Sequence, residues 1–284
     1  MEVLSRILPA VNALVVNEEH DTFRVQDADV DNVPCLSAQA AAQGWQSGIF
    51  NFGNAEGPNI DHFNPGLVER PDGLWLLVRR AVWGNGMRWG QNSVWAFKLN
   101  ENKVPQFGKL LSFLAADSRE QFEDPRALFH QGRTWVGACN FIFHGETWTG
   151  AHQTLGVFDD DWGCHTRYHP EVGGNGPSLR SNSRHEKNWP WFFHGDRLHL
   201  LYQADPWELI QFGTRWDDRV THAAPGLKWS FGEIRGGTPP LRVGEHYWTF
   251  FHSSQPWEGA YRRYYMGALA FEAKPPFAPV LLTQ

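Results

Sequence analysis

A single all-β domain over residues 1–284, folded as a five-bladed β-propeller, is the architecture this sequence predicts. Three observations predict it: a hairpin pattern that recurs four times, turn formers spread along the whole length, and an unusual aromatic content. The 284 residues include 15 Trp, 20 Phe, 28 Gly and 18 Pro. Aromatic side chains suit half-buried pleated surfaces, while Gly and Pro set the tight turns between short strands. No apolar periodicity of helical length runs through the chain. Ser37 to Ala42 is the best candidate for one short helical turn.

The first hairpin runs through Phe63-Asn64-Pro65-Gly66-Leu67-Val68, turns at Asp72-Gly73 and returns through Leu74 to Val78. The second runs through Glu123-Asp124-Pro125-Arg126-Ala127-Leu128-Phe129, turns at Gln131-Gly132 and returns through Thr134 to Ala138. The third starts at Glu186-Lys187-Asn188-Trp189-Pro190, turns at His194-Gly195-Asp196 and returns through Leu198 to Tyr202. The fourth starts at Arg235-Gly236-Gly237-Thr238-Pro239-Pro240, turns at Val243-Gly244 and returns through Tyr247 to Phe251. Prolines 65, 125, 190 and 240 are spaced 60, 65 and 50 residues apart, a period that fits one propeller blade per unit. Proline at a strand start removes no ladder hydrogen bond, so its recurrence there is physically cheap.

A further apolar strand follows three hairpins, at Val94 to Phe97, Thr154 to Phe158 and Met266 to Phe271; Trp207 to Phe212 fits that role in the third unit. Ala13 to Val16, Ile49 to Phe52 and Pro279 to Leu282 remain for a fifth blade, with the two chain ends pairing to close the ring. Closure removes open strand edges. A two-sheet sandwich is the competing arrangement.

Charged residues make up 20% of the chain and the net charge is -6, which speaks against nucleic acid or an anionic membrane as partner. Cys35, Cys139 and Cys164 have no paired spacing and fit reduced thiols. The apolar run Ile7 to Val16 is interrupted by Pro9 and Asn12 and is too short to span a bilayer. A cytoplasmic protein is the expectation. His144, His152, His165 and His169 lack ligand spacing, so no metal site is expected.

In a propeller the starts of the innermost strands converge on one mouth. Here those starts are Asp61-His62-Phe63-Asn64, Glu123-Asp124-Pro125-Arg126, Glu186-Lys187-Asn188-Trp189 and Arg235-Gly236-Gly237-Thr238. Carboxylates, cations, amides and an indole face in one pocket suit a small, highly hydroxylated ligand.

These motifs, with Leu76-Leu77-Val78-Arg79 in the first hairpin, resemble glycoside hydrolase family 130. So do Phe250-Phe251-His252, Tyr265-Met266-Gly267-Ala268 and Pro275-Pro276-Phe277 near the end, and the resemblance covers about residues 60 to 277. It implies a five-bladed propeller that phosphorolyses or hydrolyses β-mannosides with inversion. Related propellers include β-mannosyltransferases, and a non-catalytic sugar-binding propeller is a further alternative.

The resemblance places the general acid at Asp124 and a phosphate or other anion among Arg126, Lys187, Arg235 and His252. Asp61, Asn64, Arg79, Glu186, Asn188, Trp189, Asp205 and Tyr265 would hold the sugar. Glu123, next to the acid on the strand, fits a role in orienting the loop. The third motif departs from the family's Asp-x-Lys arrangement, and Arg180 and Arg184 are alternative anion ligands. Hydrolysis would need a second carboxylate about 6.5–9.5 Å from the acid, with Glu186 and Asp205 as candidates. No organic cofactor is implied; inorganic phosphate would enter as co-substrate, and the partner is an oligosaccharide or sugar phosphate.

Overall fold

The computed structural model describes residues 14–17, 22–24, 59–84, 87–114, 120–144, 147–168, 188–213, 218–256 and 261–282. Two N-terminal strands, β1 (Leu14–Asn17) and β2 (Thr22–Arg24), come first. Four strands follow in meander order as one sheet: β3 (Ile60–Arg70), β4 (Gly73–Gly84), β5 (Met87–Leu99) and β6 (Pro105–Leu110). The next sheet repeats the plan with β7 (Glu120–His130), β8 (Arg133–His144), β9 (Thr147–Phe158) and β10 (Cys164–Tyr168). A third uses β11 (Trp191–His194), β12 (Arg197–Ala204), β13 (Trp207–Phe212) and β14 (Arg219–Ala224). The last strands are β15 (Arg235–Gly236), β16 (Leu241–Val243), β17 (His246–Pro256), β18 (Tyr261–Glu272) and β19 (Pro279–Leu282).

The described chain is therefore all-β, laid out as blade-like antiparallel sheets. Each repeated hairpin of the sequence lies in one of them, and the turns fall where the Gly signals stand. Gly73 and Gly132 hold φ of 131° and 73°, a region closed to most residues with a Cβ.

The two chain ends enter the sheet of β17 and β18 by another route than direct pairing. β1 pairs with Tyr261 to Tyr264 of β18, and β19 pairs with Leu269 to Phe271 of the same strand. β18 is 12 residues long, so one strand offers edge to both ends in turn. No separate fifth sheet stands among the described residues. Ile49 to Phe52 and Ser37 to Ala42 lie outside them.

By contacts the chain divides into two compact units, Phe50–Phe193 and a second made of Met1–Ile49 with His194–Gln284. In the first, Val68, Trp75, Leu77, Val94, Phe113, Phe122, Val136, Phe158 and Trp162 form one buried cluster between the two sheets. Burying each large apolar side chain contributes roughly 1.5–3 kcal/mol. Phe113 stacks on Phe122 at 4.6 Å and meets Phe158 edge-on at 5.2 Å. Arg70, with its side chain 1% exposed, ends this core. Its guanidinium lies 5.2 Å from the Trp75 ring and 4.6 Å from the Trp162 ring, and Nη2 donates to the Asp160 carbonyl at 2.6 Å.

In the second unit, Trp207, Phe251, Phe271 and Phe277 are fully buried. Three imidazoles, His194, His199 and His222, meet the Phe277 ring edge-on at 5.2, 5.0 and 5.1 Å. Burial pushes His199 down to about 4, and it lowers His194 and His222 as well. Neither Cys139 nor Cys164 is in a disulfide. Among the described residues no helix is long and apolar enough to cross a membrane.

Candidate functional site

The two inner strands of the first unit, β3 and β7, each carry a one-residue bulge. In β3 the register shifts between Phe63 and Gly66, so that Asn64 and Pro65 stand opposite one residue of β4. In β7 the shift falls between Glu123 and Arg126, leaving Asp124 and Pro125 opposite one residue of β8. Proline has no N–H to lose at a bulge. The residue before each proline is left-handed, Asn64 at φ 52° and Asp124 at φ 54°. Asn and Asp are the side chains that tolerate this region best after glycine. Asn188, two residues before Pro190, repeats it at φ 64°.

Gly66 brings the two bulges together. A Cβ there would stand 2.6 Å from the Pro125 carbonyl oxygen, so only glycine permits this approach of β3 to β7. The consequence is a direct hydrogen bond: Asn64 Nδ2 donates to Asp124 Oδ1 at 2.5 Å. Arg126 ties in the third left-handed residue, its Nη1 donating to the Asp124 carbonyl at 2.9 Å and its Nη2 to Asn188 Oδ1 at 3.1 Å. Burial lowers the Arg126 pKa while Asp124 opposes that shift. Guanidinium stays charged at any working pH despite it.

Arg79 of β4 completes the cluster. Its Nη1 lies 2.6 Å from Glu123 Oε2 and 3.8 Å from Asp124 Oδ1, and the three side chains are 15%, 5% and 14% exposed. Its Nε donates to Asn92 Oδ1 at 2.7 Å, and its guanidinium stacks over Phe63 at 4.5 Å. Asn92 is held in turn by Gln121, whose Oε1 accepts the Asn92 backbone N–H at 2.9 Å and Nδ2 at 3.2 Å. The cluster therefore contains two carboxyls, two guanidiniums and four amides. Such a set can hold sugar hydroxyls and pass a proton.

The structure brings together Asn64, Arg79, Asp124, Arg126 and Asn188 of the expected site. Glu123, read from sequence as orienting the loop, is the primary ion partner of Arg79. Gln121 and Asn92 were missed. Gln121 shares a strand face with Glu123 by simple alternation, and a buried polar residue two positions upstream of a carboxylate was the available signal. Asp61 accepts from Trp83 Nε1 at 2.6 Å on the same strand as Asn64. Trp189 is 5% exposed, which leaves little indole face for a ligand. Glu186 and Lys187 lie outside the described residues, as do Arg180 and Arg184.

Arg235, His252, Tyr265 and Asp205 belong to the second unit. Arg235 and His252 are register partners, hence on one face of their sheet, while Tyr265 pairs with Ser253 and takes the other face. Arg235 Nη2 lies 3.5 Å from Glu233 Oε2, and Tyr265 donates to Gln255 Oε1 at 3.5 Å. Asp205 follows β12 at a turn, with Lys228 Nζ 2.6 Å from its carboxylate. Among the described residues no group of three or more His, Cys, Asp or Glu is placed to hold a metal ion.

No protein-family model matches the chain, and no curated protein matches it. Solved structures do. One, described under the GH130 family of mannoside phosphorylases and its glycoside hydrolases that target β-1,2 mannosidic linkages in Candida mannan, is 11% identical with a TM-score of 0.57, covering 78% of this chain and 70% of that one. A mannose phosphorylase from Leishmania mexicana, in complex with phosphate ion, is 13% identical with a TM-score of 0.52, covering 87% and 75%. A β-1,2-mannobiose phosphorylase from Listeria innocua, in complex with β-1,2-mannobiose, is 12% identical with a TM-score of 0.52, covering 82% and 78%. What this chain shares with these carbohydrate-active enzymes is the fold.

Proposed function

We propose that this chain is a carbohydrate-active enzyme that makes or breaks β-mannosidic bonds by an inverting route, as a glycoside phosphorylase or hydrolase, on a five-bladed propeller. The observation that carries the reading is the placement of Asp124. Its carboxyl sits on a bulge, bonded by Asn64, flanked by Arg79 and backed by Arg126, in a fold shared with mannoside phosphorylases and hydrolases.

In this reading Asp124 protonates the leaving oxygen, directly or through a sugar hydroxyl. The exposed amide of Asn64 bonds a hydroxyl of the sugar, and Asn188 holds Arg126. Arg126 favours an anionic partner such as inorganic phosphate. General acid catalysis by a placed carboxyl contributes about 10²–10⁴-fold. Asp124→Asn keeps the shape and removes the proton, so turnover is expected to fall by about that factor with an unchanged melting temperature. The assay uses β-mannobiose with and without phosphate, and mannose 1-phosphate or a nucleotide-mannose with an acceptor. Phosphate-dependent release of mannose 1-phosphate identifies a phosphorylase, and phosphate-independent release of mannose a hydrolase. Near-normal turnover in the variant would dismiss Asp124 as the acid.

A further inference from the structure

Resting on Asp124 as the acid, we infer that Glu123 is a positioning residue that sets the ionisation of Asp124 by drawing the Arg79 guanidinium onto itself. The two carboxylates are chain neighbours and compete for one cation. Arg79 Nη1 forms an ion pair with both, 2.6 Å from Glu123 and 3.8 Å from Asp124, and the shorter contact goes to Glu123. The guanidinium is held there from behind. Gln121 Oε1 accepts from the Asn92 backbone N–H and from Nδ2, which turns the Asn92 side-chain carbonyl oxygen toward Arg79 Nε at 2.7 Å. The Phe63 ring under the guanidinium at 4.5 Å completes the seat. Gln121, Asn92 and Glu123 are 6%, 8% and 4% exposed, so the arrangement is shielded from water and its charges are weakly screened.

Among the described residues, the strands around Asp124 supply several charged and titratable groups. β4 supplies Arg79, and β7 supplies Glu123 and Arg126. β8 supplies Cys139, the register partner of Glu123. β3 supplies the neutral amide of Asn64. An acid catalyst must keep its proton part of the time. A guanidinium at full contact would strip it, whereas a neighbouring carboxylate that takes the guanidinium and adds like charge preserves it.

Opposite substitutions therefore move Asp124 in opposite directions. Glu123→Gln removes the like charge and releases Arg79 toward Asp124. Arg79→Gln removes the cation. The probe is carbon-13 NMR of the full chain labelled at the aspartate carboxyl carbons, with the Asp124 signal assigned by its loss in Asp124→Asn. The titration midpoint is expected to fall by about one pH unit in Glu123→Gln and to rise by about one in Arg79→Gln. Glu123→Asp, which keeps the charge but retreats from Arg79, is expected to fall between wild type and Glu123→Gln, and it carries the test should Glu123→Gln not fold. Unmoved midpoints, or shifts of one sign in the folded variants, overturn the inference. The titration needs no turnover, so activity retained in Asp124→Asn would remove the acid assignment without touching this result.

Discussion

Phe63-Asn64-Pro65-Gly66 and Glu123-Asp124-Pro125-Arg126 are the same backbone device made twice. Each is a bulge with a left-handed residue ahead of proline, at φ 52° and 54°. The side chains differ at three of the four positions. On β3 they are a ring, an amide and a glycine; on β7 they are two carboxylates and a guanidinium. The β3 copy supplies shape: Phe63 seats Arg79, Gly66 admits the Pro125 carbonyl, and Asn64 points an amide at its counterpart. The β7 copy supplies charge. Repetition thus delivers a shared frame, and divergence within the frame gives one copy its charges.

The strongest way to break this comparison is to exchange the two chemistries. In the double variant Asn64→Asp with Asp124→Asn the carboxyl moves to the other bulge, but Glu123 and Arg126 stay behind. Turnover on β-mannobiose is expected to remain down by about 10²–10⁴-fold. Recovery to a tenth of wild type would show that the bulge alone suffices. The next largest effect separates site from fold under acid. His199 in the second unit has its pKa depressed to about 4 from 6.5. The unfolded chain then binds a proton that the folded chain does not, between those values. Stability is full above about pH 6.5 and falls as pH drops toward about 4, by on the order of 3 kcal/mol. Denaturant titrations at stepped pH read this fall, and activity lost without it belongs to the bulges. The smallest effect is Gly66→Ala, whose Cβ would meet backbone at 2.6 Å. About 1–3 kcal/mol of destabilisation is expected from thermal melts, with KM raised more than the melt alone accounts for.

Much of this frame was legible before any coordinates. β13 spans the Trp207 to Phe212 run expected as the further strand of the third unit, and the turns at Asp72-Gly73 and Gln131-Gly132 fell in place because glycine signals are local. The sites of β1 and β19 were not legible, since no local pattern says which distant strand edge a short apolar run will take. The site divides along the same line. That Asn64, Asp124, Arg126 and Asn188 come together could be expected because repeated motifs carry them. The grip of Glu123 on Arg79 was hidden because it joins strands 44 residues apart in sequence through side chains alone. Asn92 and Gln121, 29 residues apart, were hidden for the same reason.

The Trp75 and Trp162 rings that enclose Arg70 lie 5.1 Å apart at 63°. Two indoles that close and that inclined couple their excited states, so the pair should give a circular dichroism couplet. Trp75 comes from β4 and Trp162 from the turn after β9, hence the couplet reports on the docking of those two sheets and vanishes when they part. The molecule carries its own optical gauge of that docking, readable without label or ligand.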